Sequence, residues 1–312
     1  MRILITGATG FVGRHLAALL AAERGHAVHG MARQARPPLH AADLHDGPRL
    51  DSVLAEVRPE WVFHLAGYAN TGRSFHEPEK CWRDNLDGTR NFYDAIHRSG
   101  LNPRILFVST GLVYGDADGA CDESAVLRPA SPYAASKAAA DLLGYQVSRS
   151  PGLDVLCVRL FNQIGPGQSA DYAIANFARQ IAAAERGEQP PILRTGDLSA
   201  SRDLTDVRDV VAAFRLLIAK GVRGEVYNAG RGRTWRIQDV LDKLVTLARV
   251  PMAVHSARDT GRATDTAVTR ADPRKLQAAT GWQCRYELEQ TLADVLDFWR
   301  AAPPASSHAG TP

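Results

Sequence analysis

The sequence predicts an α/β protein: a doubly wound parallel sheet flanked by helices, followed by a smaller C-terminal α/β lobe. Two observations predict it. Up to Gly165, short apolar runs alternate with longer amphipathic segments, the rhythm of βαβ units around a parallel sheet. The first of those runs feeds directly into a glycine-rich turn, Gly7-Ala8-Thr9-Gly10-Phe11-Val12-Gly13, which opens a helix. After Gly165 the rhythm changes: helical segments dominate and the strands between them shorten. No clean linker separates the two parts.

Taken in order, Arg2–Thr6 reads as the first strand and Val12–Glu23 as the helix that returns the chain. His26–Met31 is the second strand, Leu50–Val57 a helix, and Trp61–Leu65 the third strand. A helix over Asn85–Ser99 leads to a fourth strand at Arg104–Ser109. The long helix Pro132–Ser148 precedes a strand at Asp154–Leu160. Beyond Gly165, helices are predicted over Tyr172–Arg186, Asp206–Ala219 and Ile237–Ala248, with short strands such as Val226–Asn228 between them. The small, Pro-rich stretch Ala301–Pro312 is expected to be a disordered tail.

Composition narrows the function classes. The 312 residues carry 37 Lys+Arg against 34 Asp+Glu, a net charge of +3 that gives little reason to expect nucleic acid as a partner. The longest apolar stretch near the N-terminus, Leu16–Ala22, is far below the roughly 18 residues a membrane span needs. With Met1–Ile5 running straight into the glycine turn, no leader peptide is expected, and the expected location is cytoplasmic. Cys81, Cys121, Cys157 and Cys284 lie far apart with no CxxC pair, so neither a metal site nor a disulfide framework is expected.

The glycine turn is the first chemical motif. Its glycines permit a tight turn and close backbone approach to a pyrophosphate, and the helix N-terminus behind it offers N–H groups and a positive dipole end. On the first strand–turn–helix of a βαβ pattern, this is the dinucleotide cradle of a Rossmann fold, with Gly7, Gly10, Phe11, Val12 and Gly13 against the cofactor. The end of the second strand selects which dinucleotide. NAD-preferring folds place an acid there, against the ribose 2′-hydroxyl. Here the stretch is Gly30-Met31-Ala32-Arg33-Gln34-Ala35-Arg36, without a carboxylate and with Arg33 at the acid's place. An Arg pairs with a 2′-phosphate, so the expected cofactor is NADP(H). Asp43, beside Leu44, is placed to cap the adenine side.

The second motif is Tyr133-Ala134-Ala135-Ser136-Lys137. Four residues apart on a helix, the phenol and the ammonium share a face, and the cation is expected to lower the phenol's pKa towards neutrality. The strand Arg104–Ser109 runs into Ser109-Thr110-Gly111-Leu112-Val113-Tyr114-Gly115, so Ser109 or Thr110 is placed at a strand's carboxyl end to bond the same substrate oxygen as Tyr133.

With these pieces in place the chain resembles the extended short-chain dehydrogenase/reductases that act on nucleotide sugars. The matching segments span nearly the whole chain: Gly7–Gly13, His64-Leu65-Ala66-Gly67, Asn85-Leu86-Asp87-Gly88-Thr89, Ser109–Gly115, Tyr133–Lys137, Arg159-Leu160-Phe161-Asn162, Gly165-Pro166-Gly167, and Arg202-Asp203 with Asp206-Val207-Arg208-Asp209. The resemblance implies that Thr110 is the hydroxyl of a catalytic triad, Tyr133 the acid/base, and Lys137 the group that holds the nicotinamide ribose and tunes Tyr133. It adds Leu44, Leu65, Ala66 and Gly67 to the cofactor contacts, and Asn162, Arg202 and Arg262 as contacts to a sugar-nucleotide diphosphate. It divides the chain into a cofactor domain over residues 1–165, partly rejoined after residue 200, and a sugar-nucleotide lobe mostly over 166–300. Residues 70–75 and 170–174 are expected at the sugar.

The resemblance also narrows the reaction. Dehydratases of this kind carry an Asp-Glu pair after the triad Thr, where this chain has Gly111 and Leu112, which can move no proton. Epimerases keep NAD(H) bound, whereas Arg33 suits a consumed NADPH. The segments Phe161–Ser169, Gly196–Asp209 and Val226–Asn228 most resemble reductases of GDP-4-keto-6-deoxy-mannose, which form GDP-rhamnose. Closely related enzymes reduce dTDP-4-keto sugars, and the motifs do not separate the two. A 4-epimerase is the alternative, and a non-catalytic dinucleotide-binding protein a more distant one. Relatives serve polysaccharide synthesis and pair through two helices each, here Asn85–Ser99 and Pro132–Ser148. A homodimer is therefore expected, with the Ala-rich face of the second helix permitting close approach.

Overall fold

The computed structural model describes residues 1–34, 36–117, 119–256 and 268–303. Its first part comprises β1 (Arg2–Thr6), α1 (Phe11–Ala22), β2 (Ala27–Ala32), β3 (His40–Ala41), α2 (Gly47–Val57), β4 (Trp61–His64), α3 (Thr71–Ser74), α4 (Pro78–Trp82), α5 (Gly88–Arg98), β5 (Arg104–Thr110), α6 (Pro132–Arg149) and β6 (Val155–Leu160). The rest comprises β7 (Asn162–Ile164), α7 (Ala173–Glu185), β8 (Ile192–Thr195), β9 (Ser201–Asp206), α8 (Val207–Lys220), β10 (Val226–Ala229), β11 (Thr234–Arg236), α9 (Ile237–Thr246), β12 (Ala253–Ser256), β13 (Val268–Thr269), α10 (Arg274–Thr280) and α11 (Leu288–Ala301).

The main sheet has the order β10-β6-β5-β4-β1-β2-β3, and each neighbouring pair is parallel. Strand order therefore reverses beside β1, which opens a crevice at the strands' carboxyl ends, where doubly wound folds bind ligands. The strands are apolar on both faces because both faces are covered. In β1, Ile3 and Ile5 meet Leu16 and Leu20 of α1, with Phe214 and Leu217 of α8 in the same core. Leu4 points the other way, into a core with Leu50 and Leu54 of α2 and Phe92 and Ile96 of α5. A third core, with Phe177 and Ile181 of α7, Leu241 and Leu244 of α9, and Leu292 and Leu296 of α11, fills the lobe. There β11, β9 and β13 form a sheet with β7 also on β9, while β8 pairs with β12.

The chain crosses between these layers more than once. After β9 it returns through α8 and β10, and later through α10 and Trp282, to the first core and the main sheet.

Three sequence expectations shift. The helix expected from Asn85 is entered through a wide π-type turn, Arg83–Asp87, and becomes α-helical only at Gly88. That turn lets Asn85 face inwards, accepting the N–H of Tyr68 at 2.8 Å and donating to Ser136 Oγ at 2.9 Å. Helix α11 was not predicted, and its last residue, Ala301, is where the tail was expected to begin; residues 304–312 lie outside the described ones. The Ala-rich face of α6 is already used: Ala134, Ala138 and Ala140 are buried in their own chain, while Leu142 and Tyr145 stand exposed.

Candidate active site

The cradle forms as its glycines require. Gly7 has φ of 71°, a left-handed conformation, and its N–H donates to Met31 O at 2.9 Å, tying the turn to β2. Gly13 packs so tightly under the turn that a Cβ there would lie 2.3 Å from Gly7 O. Gly10 caps α1 with no side-chain hydrogen bond, which leaves the first-turn N–H groups for a ligand.

In front of this turn lies a cleft of about 520 Å³. Its wall includes Gly7, Gly10, Phe11, Val12 and Gly13 from the cradle and Arg33, Asp43 and Leu44 at the ends of β2 and β3. Leu65, Ala66 and Gly67 follow β4 on the same wall, with Thr110, Tyr133, Lys137 and Asn162 opposite. Thr71 and Tyr172, from the two stretches expected at the sugar, line it too. Arg202 does not: it is half-buried on β9, with Nη1 donating to Ser201 O at 3.0 Å. Arg262 lies outside the described residues.

Strand β5 and helix α6 position the reactive groups. Ser131 caps α6 by accepting the N–H of Ala134 at 3.1 Å, which sets Tyr133 and Lys137 on the helix's first turns. The Thr110 side chain, at the end of β5, is close enough to the Tyr133 phenol to favour its ionised form. Thr110 Oγ1 also accepts the N–H of Leu112 at 3.3 Å. Ser109 is buried, and its Oγ has no hydrogen-bond partner, an unsatisfied hydroxyl on the same wall. The two candidate hydroxyls thus differ: Thr110 meets the phenol, and Ser109 is left with capacity for a ligand.

The electrostatics overturn one expectation. Burial pushes the Tyr133 phenol above its ordinary range, opposed by the Thr110 side chain, rather than down towards neutrality. The Lys137 ammonium, over the Phe107 ring at 4.7 Å from the centroid and near Cys157, Asp141 and Cys81, does not outweigh that burial. Burial lowers Lys137 itself to about 8. In the free site Tyr133 therefore holds its proton, the form an acid catalyst needs.

At the adenosine end the structure adds a group to the sequence reading. Read along the chain, the end of β2 has no carboxylate. The turn at 83–87 brings one from elsewhere: Asp84 lines the cleft with an oxygen 3.7 Å from Arg33 Nη1. His45 Nε2 is also 3.7 Å from Asp84, and Arg83 approaches to 3.3 Å. No sequence signal marks Asp84, because the π-type turn that aims it has no periodicity of its own. Asp43 Oδ1 meanwhile accepts the N–H of His45 at 2.9 Å and so shapes this corner of the cleft.

Behind the triad, a buried network fixes β6 against α6. Arg159 donates to Asp141 at 2.7 Å and to the Tyr114 hydroxyl at 2.9 Å, and Tyr114 donates to Asn228 at 2.7 Å. At Gly111 a Cβ would lie 2.8 Å from the Phe161 ring, so a carboxylate side chain after Thr110 has no room. Among the described residues no cluster of His, Cys, Asp and Glu is arranged to hold a metal ion. Nor is any helix of the described residues long and apolar enough to cross a membrane.

Residues 3–230 match the family described as NAD dependent epimerase/dehydratase. The chain belongs to this family. Among its curated members, the GDP-6-deoxy-D-mannose reductase of Pseudomonas aeruginosa is 35% identical over 96% of this chain and 97% of its own length. The solved structure of RMD from Pseudomonas aeruginosa, complexed with NADPH, aligns over 97% of this chain and 100% of that one, with TM-score 0.87 and 34% identity. The UDP-glucose 4-epimerase of Thermus thermophilus, complexed with NAD, has the same TM-score of 0.87 at 29% identity, over 97% and 100% of the two chains.

Proposed function

We propose that this chain reduces the C4 keto group of a nucleoside-diphosphate 4-keto-6-deoxyhexose with NADPH. GDP-4-keto-6-deoxy-mannose, giving GDP-rhamnose, is the first candidate and the dTDP-4-keto sugars the second. The observation that carries this reading is the convergence of the glycine cradle, Thr110, Tyr133 and Lys137 on one cleft, with a protonated phenol in its wall. The named reductase activity of the Pseudomonas aeruginosa relative supports it, as does the NADPH held by the solved neighbour. The closed space at Gly111 argues against a dehydratase's acid pair.

The residues fit a nicotinamide dinucleotide: the cradle is too tight for side chains at Gly7 and Gly13, and the buried Ser109 hydroxyl lacks a partner. When bound, the cofactor supplies hydride to C4. The chain does the rest. Gly7–Gly13 and the N-terminus of α1 hold the pyrophosphate, and Arg33 faces the adenosine 2′-phosphate. Lys137 holds the nicotinamide ribose. Thr110 and Tyr133 hydrogen-bond the C4 carbonyl oxygen, and Tyr133 gives its proton to that oxygen as negative charge builds there. Lys137 then offsets the charge left on the phenolate. Asn162, on the cleft wall, is assigned to the substrate diphosphate, and Arg202 and Arg262 are assigned to it on the family resemblance alone.

Purified protein should consume NADPH with GDP-4-keto-6-deoxy-mannose or a dTDP-4-keto-6-deoxyhexose, followed by absorbance. Interconversion of a non-keto nucleotide sugar without net NADPH loss would instead establish a 4-epimerase. Tyr133→Phe should cut kcat by about 100-fold or more, the usual worth of a positioned acid, while NADPH still binds. Near-native turnover in that variant refutes the assignment.

A homodimer belongs to the same proposal. Leu142 and Tyr145, three apart on α6, are exposed on a face suited to a second copy. Sedimentation at micromolar protein should show twice the 33.8 kDa mass of the chain, and a species of 33.8 kDa alone would overturn it. A cytoplasmic enzyme supplying 6-deoxyhexose for polysaccharide assembly completes the reading.

A further inference from the structure

We infer that Asp84 sets how strongly this enzyme prefers a phosphorylated adenosine ribose over an unphosphorylated one; the inference rests on the dinucleotide reading of the cleft. The physical problem lies in the sign of the charge at the end of β2. Arg33 favours a 2′-phosphate, which carries about −1.5 to −2 at neutral pH. Yet a carboxylate stands 3.7 Å from the same guanidinium and lines the same cleft. Asp84 is not a solvated surface charge: it is 8% exposed, held at the turn of residues 83–87, whereas the Arg33 side chain is 61% exposed and able to swing.

Two ligand states follow from that arrangement. A ribose bearing a 2′-hydroxyl can donate to Asp84, the bond that a carboxylate at the end of β2 makes in NAD-selective folds. Here the acid arrives from another part of the chain. A ribose bearing a 2′-phosphate must take Arg33 away from Asp84, gain His45 as a donor, and tolerate a fixed negative charge beside it. His45 is suited to that exchange, because its Nε2 already stands 3.7 Å from Asp84 on the cleft wall. Asp84 thus does two things: it keeps Arg33 and His45 gathered at the pocket when no phosphate is present, and it supports the unphosphorylated cofactor. Arg33 pulls the preference one way and Asp84 the other, so the chain uses NADPH while retaining measurable use of NADH.

The test needs no sugar substrate. Adenosine 2′,5′-diphosphate and adenosine 5′-monophosphate are titrated calorimetrically into the full-length protein and into Asp84→Asn and Asp84→Ser. Removing the charge loses a charge-assisted bond to the 2′-hydroxyl and relieves repulsion of the phosphate. The ratio of the two affinities should therefore move towards the diphosphate by about tenfold or more. Arg33→Ala should move it in the opposite direction. Because only a ratio within each variant is read, partial loss of folded protein cancels. Where steady-state rates are available, kcat/KM for NADPH over NADH should follow the same order. An unchanged ratio in both Asp84 variants, with both ligands binding, overturns the role of Asp84 and leaves the cofactor reading standing. If neither ligand binds wild-type protein, the cofactor reading falls and this inference with it; if only the 2′,5′-diphosphate binds, the cofactor reading stands and the role of Asp84 is overturned.

Discussion

Acid should weaken this fold through one buried imidazole, His64. It sits at the end of β4, fully buried, with Nδ1 2.8 Å from Thr6 Oγ1 and Nε2 3.2 Å from Thr89 Oγ1. Its ring stacks on Phe92 with centroids 4.8 Å apart. Burial first, and the Lys137 charge second, lower its pKa from 6.5 to about 3. The unfolded chain therefore binds a proton near pH 6.5 that the native protein refuses until about pH 3. Stability from this group is complete above pH 6.5 and is lost as the pH falls through that window. At about 1.36 kcal/mol per pH unit, the full loss is about 5 kcal/mol, and about 2 kcal/mol of it has gone by pH 5. Urea unfolding of wild type and of His64→Gln at pH 7.5 and pH 5.0 isolates the term, since the other histidines are common to both proteins. The variant should start less stable, having lost the stacked ring, but should lose about 2 kcal/mol less than wild type between the two pH values. Equal losses in the two proteins would show that the imidazole is not kept neutral, and the reasoning would fail. The cleft is coupled to this group, because Thr6 Oγ1 also accepts the N–H of Ala66 on the cleft wall at 3.1 Å. NADPH affinity should then decline in step with the acid transition.

Two further predictions concern the cleft. Gly13→Ala drives a methyl against Gly7 O and Ala8, so NADPH affinity measured by fluorescence titration should fall more than tenfold, with about 1–3 kcal/mol lost in unfolding stability from overpacking; native affinity would disprove the tight fit. Lys137, lowered to about 8, carries its charge below that pH and loses it above. The kcat/KM profile, which reports free-enzyme groups, should fall on its alkaline side near pH 8, and Lys137→Met should remove that limb together with most of the turnover; an alkaline limb unchanged in the variant would assign it to another group.

What the sequence disclosed and what it hid divide along a physical line. Strand β1 and its turn were legible because apolar strands and glycine conformations are local properties: Ile3, Leu4 and Ile5 declare a doubly covered strand, and Gly7 and Gly13 sit where no Cβ fits. Tyr133 and Lys137 were legible because helical spacing alone puts them on one face. Strand β9 was not, because three of its four buried residues, Asp203, Thr205 and Asp206, are polar and only Leu204 is apolar. Asp203 is fully buried and accepts N–H groups from Arg231, Gly232 and Ala271 at 2.8, 2.8 and 3.0 Å. Desolvation nonetheless holds it up at about 6. A strand stabilised by distant loop amides has no apolar pattern to read. Asp84 was hidden for a related reason: its meaning depends on Arg33, some fifty positions earlier in the chain, and on a wide turn that propensity does not announce. The lowered phenol pKa expected from Tyr–Lys spacing failed because spacing gives neighbours but not the cost of leaving water.

The placement of β10 has a consequence for how this protein can be made. A nascent chain that has emerged only through β6 presents that strand's free edge, with its row of unpaired N–H and C=O groups, until residues 226–229 arrive to cover it. The whole first pass through the lobe must be synthesised in between. Cutting the gene at residue 165 would therefore yield a fragment with an open sheet edge and without the helix over residues 207–220 that covers one face, a species prone to pair with its own kind. The cofactor half cannot be harvested as a module; ribosome, chaperone and engineer alike must wait for most of the chain.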